Sequence, residues 1–412
     1  MSDKTIYAIA TMDTKSEEIN FVAERASQNG IEVKTVDVGT GAEARGAPDV
    51  TRQQVAACHD EGEAHVLSQV DRGQAVAAMG EALAIFLSNE YADGKIAGVI
   101  GAGGSGGTSL IASGLRALPI GLPKLLVSTV ASGNTAPYVH SSDITMMYSV
   151  VDIAGLNNVS RAILSNAAHA ISGMVKNYSP ARAEDKAIGM TMFGVTTPCV
   201  DAVRKNLESS GHDCLVFHAT GSGGRAMENL INSGYIDRVL DITTTEVADE
   251  VVGGIFPCGG ARFDGVNRMR IPCVMSLGAL DMVNFGGIDT VPPQFKNRNL
   301  HVHNPEVTLM RTSAEENRMF ANWIADKVNQ STAPMALLIP EGGVSMLDAP
   351  GQPFHDPEAD QALFDALEES IQQTEVRRIV HTPHHINDPK FSRALLNALD
   401  EVTTTSGDGG HG

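Results

Sequence analysis

The sequence predicts an α/β protein made of two Rossmann-like, doubly wound lobes with mainly parallel sheets and an inter-lobe cleft. Short β-branched runs alternate with amphipathic stretches along the chain, which is the pattern of parallel strands covered by helices. A length of 412 residues exceeds the size at which a single core usually keeps growing. The tetrapeptide GSGG occurs in each half, at Gly104–Gly107 and at Gly221–Gly224, each time between a predicted strand and a predicted helix.

The domain boundary is predicted at one polar, proline-containing segment, Tyr178–Lys186, which separates two stretches of the same alternating character. We therefore expect an N-terminal lobe at residues 1–180 and a C-terminal lobe at residues 186–402. Residues 403–412 contain no apolar anchor, so they are expected to form a disordered tail.

The N-terminal lobe begins with a predicted strand at Ile6–Thr11. Thr14 and Glu17 match a capping box, which predicts the start of a helix. Gly30 suits the left-handed residue that ends this helix. Later elements of this lobe are four strands and one long helix, predicted at Ile31–Val38, Gly98–Ala102, Lys124–Ser128, Thr145–Val151 and Asn157–Lys176.

The C-terminal lobe is predicted to restart with a strand at Ala187–Phe193 and a helix at Pro198–Ser210, ended by Gly211. Another strand is predicted at Cys214–His218, and the last helix near Lys390–Leu399. Both lobes therefore start with the same strand–helix–strand order.

Charge and cysteine content restrict the expected partners and location. The formal net charge of −19 argues against binding to nucleic acid or to anionic membranes, because both require basic surfaces. The five cysteines are odd in number and form no close pair, which is typical of free thiols in a reducing compartment. Neither a signal peptide nor an apolar stretch long enough to span a bilayer is found. We expect a cytoplasmic protein.

The glycine-rich segment Gly101–Thr108 is the first candidate binding site. Its glycines allow close approach of a ligand, and the following helix start offers free N–H groups and a positive dipole end, which together favour an anion. The segment matches GxGxxG, but no acidic residue occurs between Asp93 and Asp143, so a ribose-binding partner for NAD is missing. The alternative is that the glycines only permit tight packing of strand and helix.

The same segment also has the spacing of a mononucleotide phosphate loop, except that Gly107 replaces the lysine. The missing positive charge would have to come from Lys15, Lys124 or Arg161, or from Mg²⁺.

Three further loops of the N-terminal lobe follow predicted strands, where open α/β sheets place ligand groups. In Thr11–Lys15, Asp13 suits Mg²⁺ through water or a ribose hydroxyl, or the loop serves only as a helix cap. Ser128–Thr135 is rich in hydroxyl and amide groups that suit phosphate or ribose, or it is an ordinary turn. In Asp152–Asn158, one of the two asparagines is expected to act first as an N-cap.

In the C-terminal lobe, Thr220–Arg225 is a second candidate anion cradle, and Thr243–Glu246 follows another predicted strand. Arg225 could clamp a carboxylate or phosphate, although a plain surface arginine is the competing interpretation. The histidines of HVHNP and HTPHHINDP lack the spacing of a strong metal site, so no structural metal site is expected, but one histidine could act as an acid or base. The loop EGGVSMLD contains Glu341, Ser345 and Asp348 without an assignable catalytic order.

Long motifs resemble one family. They include MDTK, GVIGAGGSGGTSL, STVASGNT, SVVDIAGLNNVSR, TMFGVTTPCVDAV, LVFHATGSGGRAME, DITTTEVADEVVGG, GALDMVNFG, LMRT and HINDP. In these motifs the chain resembles the uncharacterised bacterial and fungal proteins related to the tomato mosaic virus resistance protein, whose common domain is called an ATP-binding domain. The resemblance covers nearly the whole chain apart from the tail.

The resemblance implies two Rossmann-like lobes, ATP with Mg²⁺ in the N-terminal lobe, and a homodimer. Together with the loops described above, it leads to one set of predicted cofactor-binding residues: Asp13, Thr14, Lys15, Gly103, Gly104, Ser105, Gly106, Gly107, Thr108, Thr129, Ser132, Gly133, Asn134, Asp152, Gly155, Asn157 and Asn158. The candidates in the second lobe are Gly221, Gly223, Gly224, Arg225, Thr245, Glu246 and His385.

Three functions remain open from the sequence. The first is an ATP-dependent enzyme that acts on a small carboxylate metabolite in the inter-lobe cleft. The second is a nucleotide-regulated interaction protein without turnover. The third is a nucleotide-independent enzyme whose glycine loops bind a phosphorylated substrate. No reaction can be assigned to the chain.

Overall fold

Two α/β units form the protein, as predicted. A computed structural model describes residues 5–179 and 186–407, and the chain divides into an N-terminal unit, Met1–Ala181, and a C-terminal unit, Arg182–Gly412. Each unit contains its own, mostly parallel sheet. Residues 180–185 of the predicted linker and residues 408–412 of the predicted tail lie outside the described residues. Within the described ranges 5–179 and 186–407, no helix is long and apolar enough to cross a bilayer.

The N-terminal unit has a five-stranded parallel sheet in the order β2-β1-β3-β4-β5. Its strands are β1 Thr5–Ala10, β2 Val33–Asp37, β3 Ile96–Gly103, β4 Lys124–Ser128 and β5 Thr145–Tyr148. Its helices are α1 Ser16–Gln28, α2 Arg52–Ala56, α3 Glu63–Leu67, α4 Arg72–Ala92, α5 Ser105–Arg116, α6 Ala136–Val139 and α7 Asn158–Lys176. One apolar core lies between the sheet and α4 and α5, and a second lies between the sheet and α1 and α7, so the unit is doubly wound.

The strand order of this sheet reverses between β1 and β3. From β1 the chain proceeds to β2 on one side, whereas β3, β4 and β5 follow one another on the other side. Ligands of open α/β sheets bind at such a switch point, beyond the carboxyl ends of the strands. Because all five strands are parallel, the predicted ligand loops of this unit emerge at one edge of one sheet.

The start of α1 differs from the prediction. The predicted capping box of Thr14 and Glu17 does not form, since Lys15 is the N-cap residue and makes no side-chain cap hydrogen bond. The Thr14 hydroxyl instead donates to Thr11 O at 3.3 Å, within a turn in which Thr14 N and Lys15 N also bond to Thr11 O. The turn uses the hydroxyl that the capping box would require.

The end of β5 also differs from the prediction, because the strand stops at Tyr148 and not at Val151. Val150 adopts a positive φ of +63°, and Val151 N donates to Ser149 O at 2.7 Å across it, which makes a γ-turn. A β-branched residue rarely has this conformation, so no local pattern predicts it.

The C-terminal unit has a six-stranded parallel sheet in the order β14-β13-β9-β8-β6-β7 and an antiparallel sheet in the order β10-β12-β11, which was not predicted. Its strands are β6 Ala187–Met192, β7 Cys214–His218, β8 Ile236–Thr243, β9 Cys273–Gly278, β10 Met282–Phe285, β11 Leu300–Asn304, β12 Val307–Arg311, β13 Met335–Pro340 and β14 Arg377–Thr382. Its helices are α8 Thr197–Ser209, α9 Ser222–Asn232, α10 Thr245–Val252, α11 Asp264–Met269, α12 Ala314–Val328, α13 Pro357–Ser370 and α14 Pro389–Gly407.

The last helix, α14, continues into the segment that was predicted as a disordered tail. It ends at Gly407, so residues 403–407 are helical. Val402 is buried in the core of the unit, and the hydroxyls of Thr403, Thr404 and Thr405 each donate to the carbonyl oxygen four residues earlier. The apolar anchor immediately before the threonines therefore extends the helix.

Candidate functional site

The start of α5 presents three main-chain N–H groups that the fold leaves free. Gly104 is the N-cap residue, and the first helical hydrogen bond runs from Thr108 N to Gly104 O at 2.8 Å. Within residues 5–179 and 186–407, no acceptor bonds the N–H groups of Ser105–Gly107. Because Ser105 is exposed and Gly106 and Gly107 are half-buried, these groups can bond an anion.

The glycines of this loop divide into two groups. A Cβ added at Gly101 would lie 2.7 Å from Ile111 Cγ2, and one at Gly103 would lie 3.0 Å from Thr108 N, so both glycines are needed for packing. A Cβ at Gly107 would meet nothing within 4 Å, and one at Gly106 would approach only Arg72 Nη2, at 3.7 Å. Tight packing therefore explains the first half of the loop and leaves the second half open.

Thr108 lies where mononucleotide loops place a metal-binding hydroxyl, but its side chain is fully buried. Its Oγ1 lies 2.6 Å from Ser128 Oγ, so these two hydroxyls join the start of α5 to the end of β4. The arrangement does not support a ligand role for the Thr108 side chain, and we assign it to positioning the loop.

The three cations suggested by the sequence all have other contacts. Lys15 Nζ donates to the carbonyl oxygen of Ile153. Lys124 is fully buried at the amino end of β4 and pairs with Asp143 at 2.6 Å, so it lies at the wrong end of the strand. Arg161 stacks over the Phe21 ring at 5.4 Å.

Arg72, which was not predicted from the sequence, is the cation beside the loop. It is the first residue of α4, is exposed, and lines an open cavity of about 720 Å³ together with Ser105 and Gly106. The amino ends of α4 and α5 both lie at the carboxyl edge of the sheet, so two helix dipoles and one guanidinium favour an anion in this cavity. The N-cap Asp71 accepts a hydrogen bond from Gln74 N at 2.9 Å, and this Asp-x-x-Gln pattern is the signal that could have predicted α4.

Asp13 lies on the β2 side of the switch point. A Cβ added at Gly41 would lie 2.7 Å from Asp13 Oδ2, so glycine at this position lets the loop after β2 approach the carboxylate. Asp37, also missed, is buried beside it and accepts hydrogen bonds from Met12 N at 2.9 Å and Gly39 N at 2.8 Å. Burial raises the pKa of Asp37, and repulsion from Asp13 acts in the same direction.

The loops after β4 and β5 lie at the same edge. Thr129 N bonds to Gly103 O at 3.4 Å, which holds the start of the Ser128–Thr135 loop beside the phosphate-loop candidate. Ser132, Gly133 and Asn134 are exposed.

Residues 149–157 form the loop after β5, and α7 begins at Asn158. Asn157, one of the two asparagines predicted for this role, is the N-cap of α7, and its Oδ1 accepts hydrogen bonds from Val159 N and Ser160 N. Glu18 accepts a hydrogen bond from Gly155 N at 2.7 Å, which ties this loop to α1. Thr14, Asp152 and Asn158 are exposed and remain candidates.

The second glycine loop is filled by the protein's own carboxylate. Glu246 Oε1 accepts hydrogen bonds from Gly221 N at 2.5 Å and from Gly224 N at 3.2 Å. A Cβ at Gly223 would lie 1.9 Å from His218 O, so that glycine serves packing. The prediction that this loop, Thr245 and Glu246 face a ligand is therefore wrong. The Glu246 carboxylate occupies the place that was predicted for a ligand anion, and both Glu246 and Thr245 are fully buried.

Arg262 holds Glu246 from the other side, within a buried charge cluster. Its Nε lies 3.1 Å from Glu246 Oε2, its Nη1 and Nη2 lie 2.7 Å and 2.8 Å from the two oxygens of Asp241, and Glu228 Oε1 is 3.4 Å away. Burial raises the pKa of Glu228, although Arg262 opposes this. The exposed Arg225 donates to Pro257 O at 3.0 Å, as a surface arginine does.

His385 is not free to act as an acid or base. Its Nε2 lies 2.8 Å from Ser345 O, and its Nδ1 accepts a hydrogen bond from Asn387 N at 3.0 Å. The carbonyl requires a proton on Nε2, so the network assigns the neutral tautomer. A Cβ at Gly342 would lie 2.5 Å from His385 N, so the glycines of the EGGVS loop permit this close approach.

A second buried carboxylate cluster lies beyond β9 and β13. Asp281 Oδ2 accepts a hydrogen bond from Ser345 Oγ at 2.7 Å, and Arg311 Nη2 lies 2.6 Å from Asp360 Oδ1 and 3.5 Å from Asp348 Oδ1. Burial raises the pKa values of Asp281 and Asp348, and raises that of Asp360 to about 7. Among the residues that the structure describes, no group of three or more His, Cys, Asp or Glu side chains could hold a metal ion.

Comparison with known proteins identifies one family. The model of the uncharacterised protein family (UPF0261) N-terminal domain matches residues 4–180, and that of its C-terminal domain matches residues 185–403. A UPF0261 protein of Rhizobium meliloti is 52% identical over 399 residues, 97% of this chain and 99% of that protein. A UPF0261 protein of Clostridium tetani is 47% identical over 96% of this chain and 98% of that protein. The ToMV resistance protein Tm-1 of Solanum lycopersicum is also 47% identical, over 97% of this chain but 56% of that protein.

Proposed function

The chain belongs to the uncharacterised protein family UPF0261, and we propose that its N-terminal unit binds ATP with Mg²⁺ at the carboxyl edge of the sheet. The triphosphate would bond the N–H groups of Ser105–Gly107, and Arg72 would supply the positive charge that phosphate loops take from lysine. Asp13 would hold Mg²⁺ together with phosphate oxygens, because Mg²⁺ commonly uses one or two carboxylates and the substrate.

One observation carries this proposal: free main-chain donors stand at a helix start beside glycines that packing does not require. In the C-terminal unit, the corresponding loop has the same GSGG letters, yet a buried carboxylate occupies its amides. That comparison supports an anionic ligand for the N-terminal loop, since its amides also stand at a helix start and have no partner among the residues that the structure describes.

A negative charge at the third position of α5 tests whether the loop binds the triphosphate. Gly107→Asp adds a side chain where a Cβ meets nothing within 4 Å. An acidic residue in the first helical turn also stabilises the helix, so the variant should fold. Its carboxylate would compete with the triphosphate, and we expect calorimetry to show ATP affinity at least about 100-fold lower, roughly 2.7 kcal/mol.

Gly107→Ala is the matched control, because it adds the same Cβ without charge and should retain most of the affinity. ATP at about 100 times its Kd should also stabilise the unaltered protein by roughly 2.7 kcal/mol in thermal denaturation. If ATP gives no stabilisation, the proposal fails. If Gly107→Asp binds ATP as well as the unaltered chain, the nucleotide binds elsewhere.

We extend the proposal to a cytoplasmic homodimer. All five cysteines are free thiols, and three of them are buried, which suits a reducing compartment. Light scattering at micromolar concentration would give the mass of the assembly, and a monomer mass of 43.4 kDa would contradict the dimer.

A further inference from the structure

An exposed apolar pair lies at the carboxyl end of β5. The side chains of Tyr148 and Val150 are 42% and 58% exposed, although the first is aromatic and the second aliphatic. Val150 has a φ of +63°, and the Ser149 hydroxyl fixes the same turn by donating to Val151 O at 2.7 Å. A strained β-branched residue on the surface costs free energy, and such strain persists mainly at functional sites.

The sheet register places Tyr148 level with the glycine loop. Gly103 pairs with Ser128, and Ser128 pairs with Tyr148, so the three residues form one row across β3, β4 and β5. Side chains in one row share a face of the sheet. Because Ser128 bonds to Thr108 of α5, Tyr148 lies on the face that α5 covers.

The distances across this row suit a nucleotide. Neighbouring strands are about 4.8 Å apart, so Tyr148 is about 10 Å from the start of the glycine loop. A ribose and its first phosphate can bridge such a span. Ser132 and Asn134 are exposed in the loop that follows β4, the strand between β3 and β5, so their hydroxyl and amide groups lie beside this span.

The opposite side of the switch point suits the other end of the nucleotide. There the loops after β1 and β2 bring the carboxylates of Asp13 and Asp37 together beside Gly39 and Gly41. Carboxylates favour a metal-bound phosphate end, whereas an aromatic ring favours a base. The two sides of the site are therefore chemically different.

From this asymmetry we propose that the base of the nucleotide stacks on Tyr148 and Val150, with the phosphates directed towards Arg72 and Asp13. This inference rests on the proposed function, and it gives the ligand an orientation and a requirement for a nucleoside. Tyr148 would contribute affinity for the base and none for the phosphates.

The test compares ATP with inorganic tripolyphosphate, which has the phosphates and no base. We expect Tyr148→Ala to lower ATP affinity about ten- to a hundredfold and to leave tripolyphosphate affinity unchanged, while Tyr148→Phe retains the ring and the affinity. Val150→Gly should also weaken ATP binding, yet raise the melting temperature by a few degrees, because glycine adopts positive φ without strain.

Three results would overturn the inference. Unchanged ATP affinity in Tyr148→Ala, with tripolyphosphate still bound, would place the base elsewhere and leave the phosphate site intact. An equal loss of affinity for ATP and for tripolyphosphate in Tyr148→Ala would show that Tyr148 has a structural role and does not contact the base. Failure of the unaltered chain to bind either ligand would remove the proposed function as well, so the two failures are distinguishable.

Discussion

Replacing Arg262 with Met is expected to destabilise the C-terminal unit by about 3–5 kcal/mol, because it leaves three buried carboxylates without their cation. Arg262 is 1% exposed, and it contacts Asp241, Glu246 and Glu228. Glu246 in turn bonds the amides at the start of α9, so the loss should spread to that helix. Met keeps an unbranched apolar stem but has neither the charge nor the N–H donors of the guanidinium, so the change removes both from the cluster.

The measurement can use the only tryptophan of the chain, Trp323. Its ring lies 5.8 Å from that of Phe263, the residue next to Arg262, so its fluorescence reports on unfolding at this cluster. Arg268→Met is the control, because Arg268 is an exposed arginine on α11 and its loss should change stability by less than about 0.5 kcal/mol. Equal urea midpoints for Arg262→Met and the unaltered protein would contradict the structural role of the cluster.

Neutralising Asp360 should make the C-terminal unit more stable at alkaline pH. The pKa of Asp360 is raised by burial to about 7, against about 3.9 for an unfolded aspartate. The folded state therefore binds the proton more tightly, so this group's stabilising contribution is complete below about pH 4 and is lost as the pH rises to about 7. Asp360→Asn keeps an oxygen acceptor for Arg311 and carries no charge. At pH 8 it should be more stable by up to about 4 kcal/mol.

Urea denaturation followed by Trp323 fluorescence at pH 5 and pH 8 measures this difference. Asp249 also has a pKa raised by burial to about 7, so part of the pH dependence should remain in Asp360→Asn. Asp326→Asn, an exposed position on α12, is the matched control and should keep the full pH dependence. If Asp360→Asn is less stable than the unaltered protein at both pH values, the folded state requires the ionised carboxylate of Asp360, and the prediction is wrong.

Elements with strong local patterns were predicted well. The strands Lys124–Ser128 and Cys214–His218 were predicted to the residue, because short apolar runs are bounded there by turn residues. An N-cap was predicted at Asn157 or Asn158, and the capping box of Asn157 with Ser160 involves only neighbouring residues. The same local rule failed at Thr14, where a competing turn uses the hydroxyl. Residues 40–97 received no prediction, although Asp71 and Gln74 mark the start of α4.

Part of the candidate site was predictable and part was not. The position of Gly103–Thr108 at a helix start follows from the local amino-acid sequence. Arg72 does not, because it is 34 positions from Gly106 and reaches it only through the parallel packing of α4 and α5. The strained turn at Val150 was equally hidden, since Val150 and Val151 have high strand propensity and extend the predicted strand.

The sequence alone determined two parallel α/β units and a glycine-rich turn at the start of a helix in each, because strand and helix periodicity and glycine's backbone freedom are local properties. Only the tertiary structure decided what those two turns bond. Free N–H groups at a helix start must find an acceptor, and which acceptor is near depends on residues distant in the chain. In the C-terminal unit Glu246 and Arg262 fill that position, whereas in the N-terminal unit Arg72 and an open cavity stand beside it.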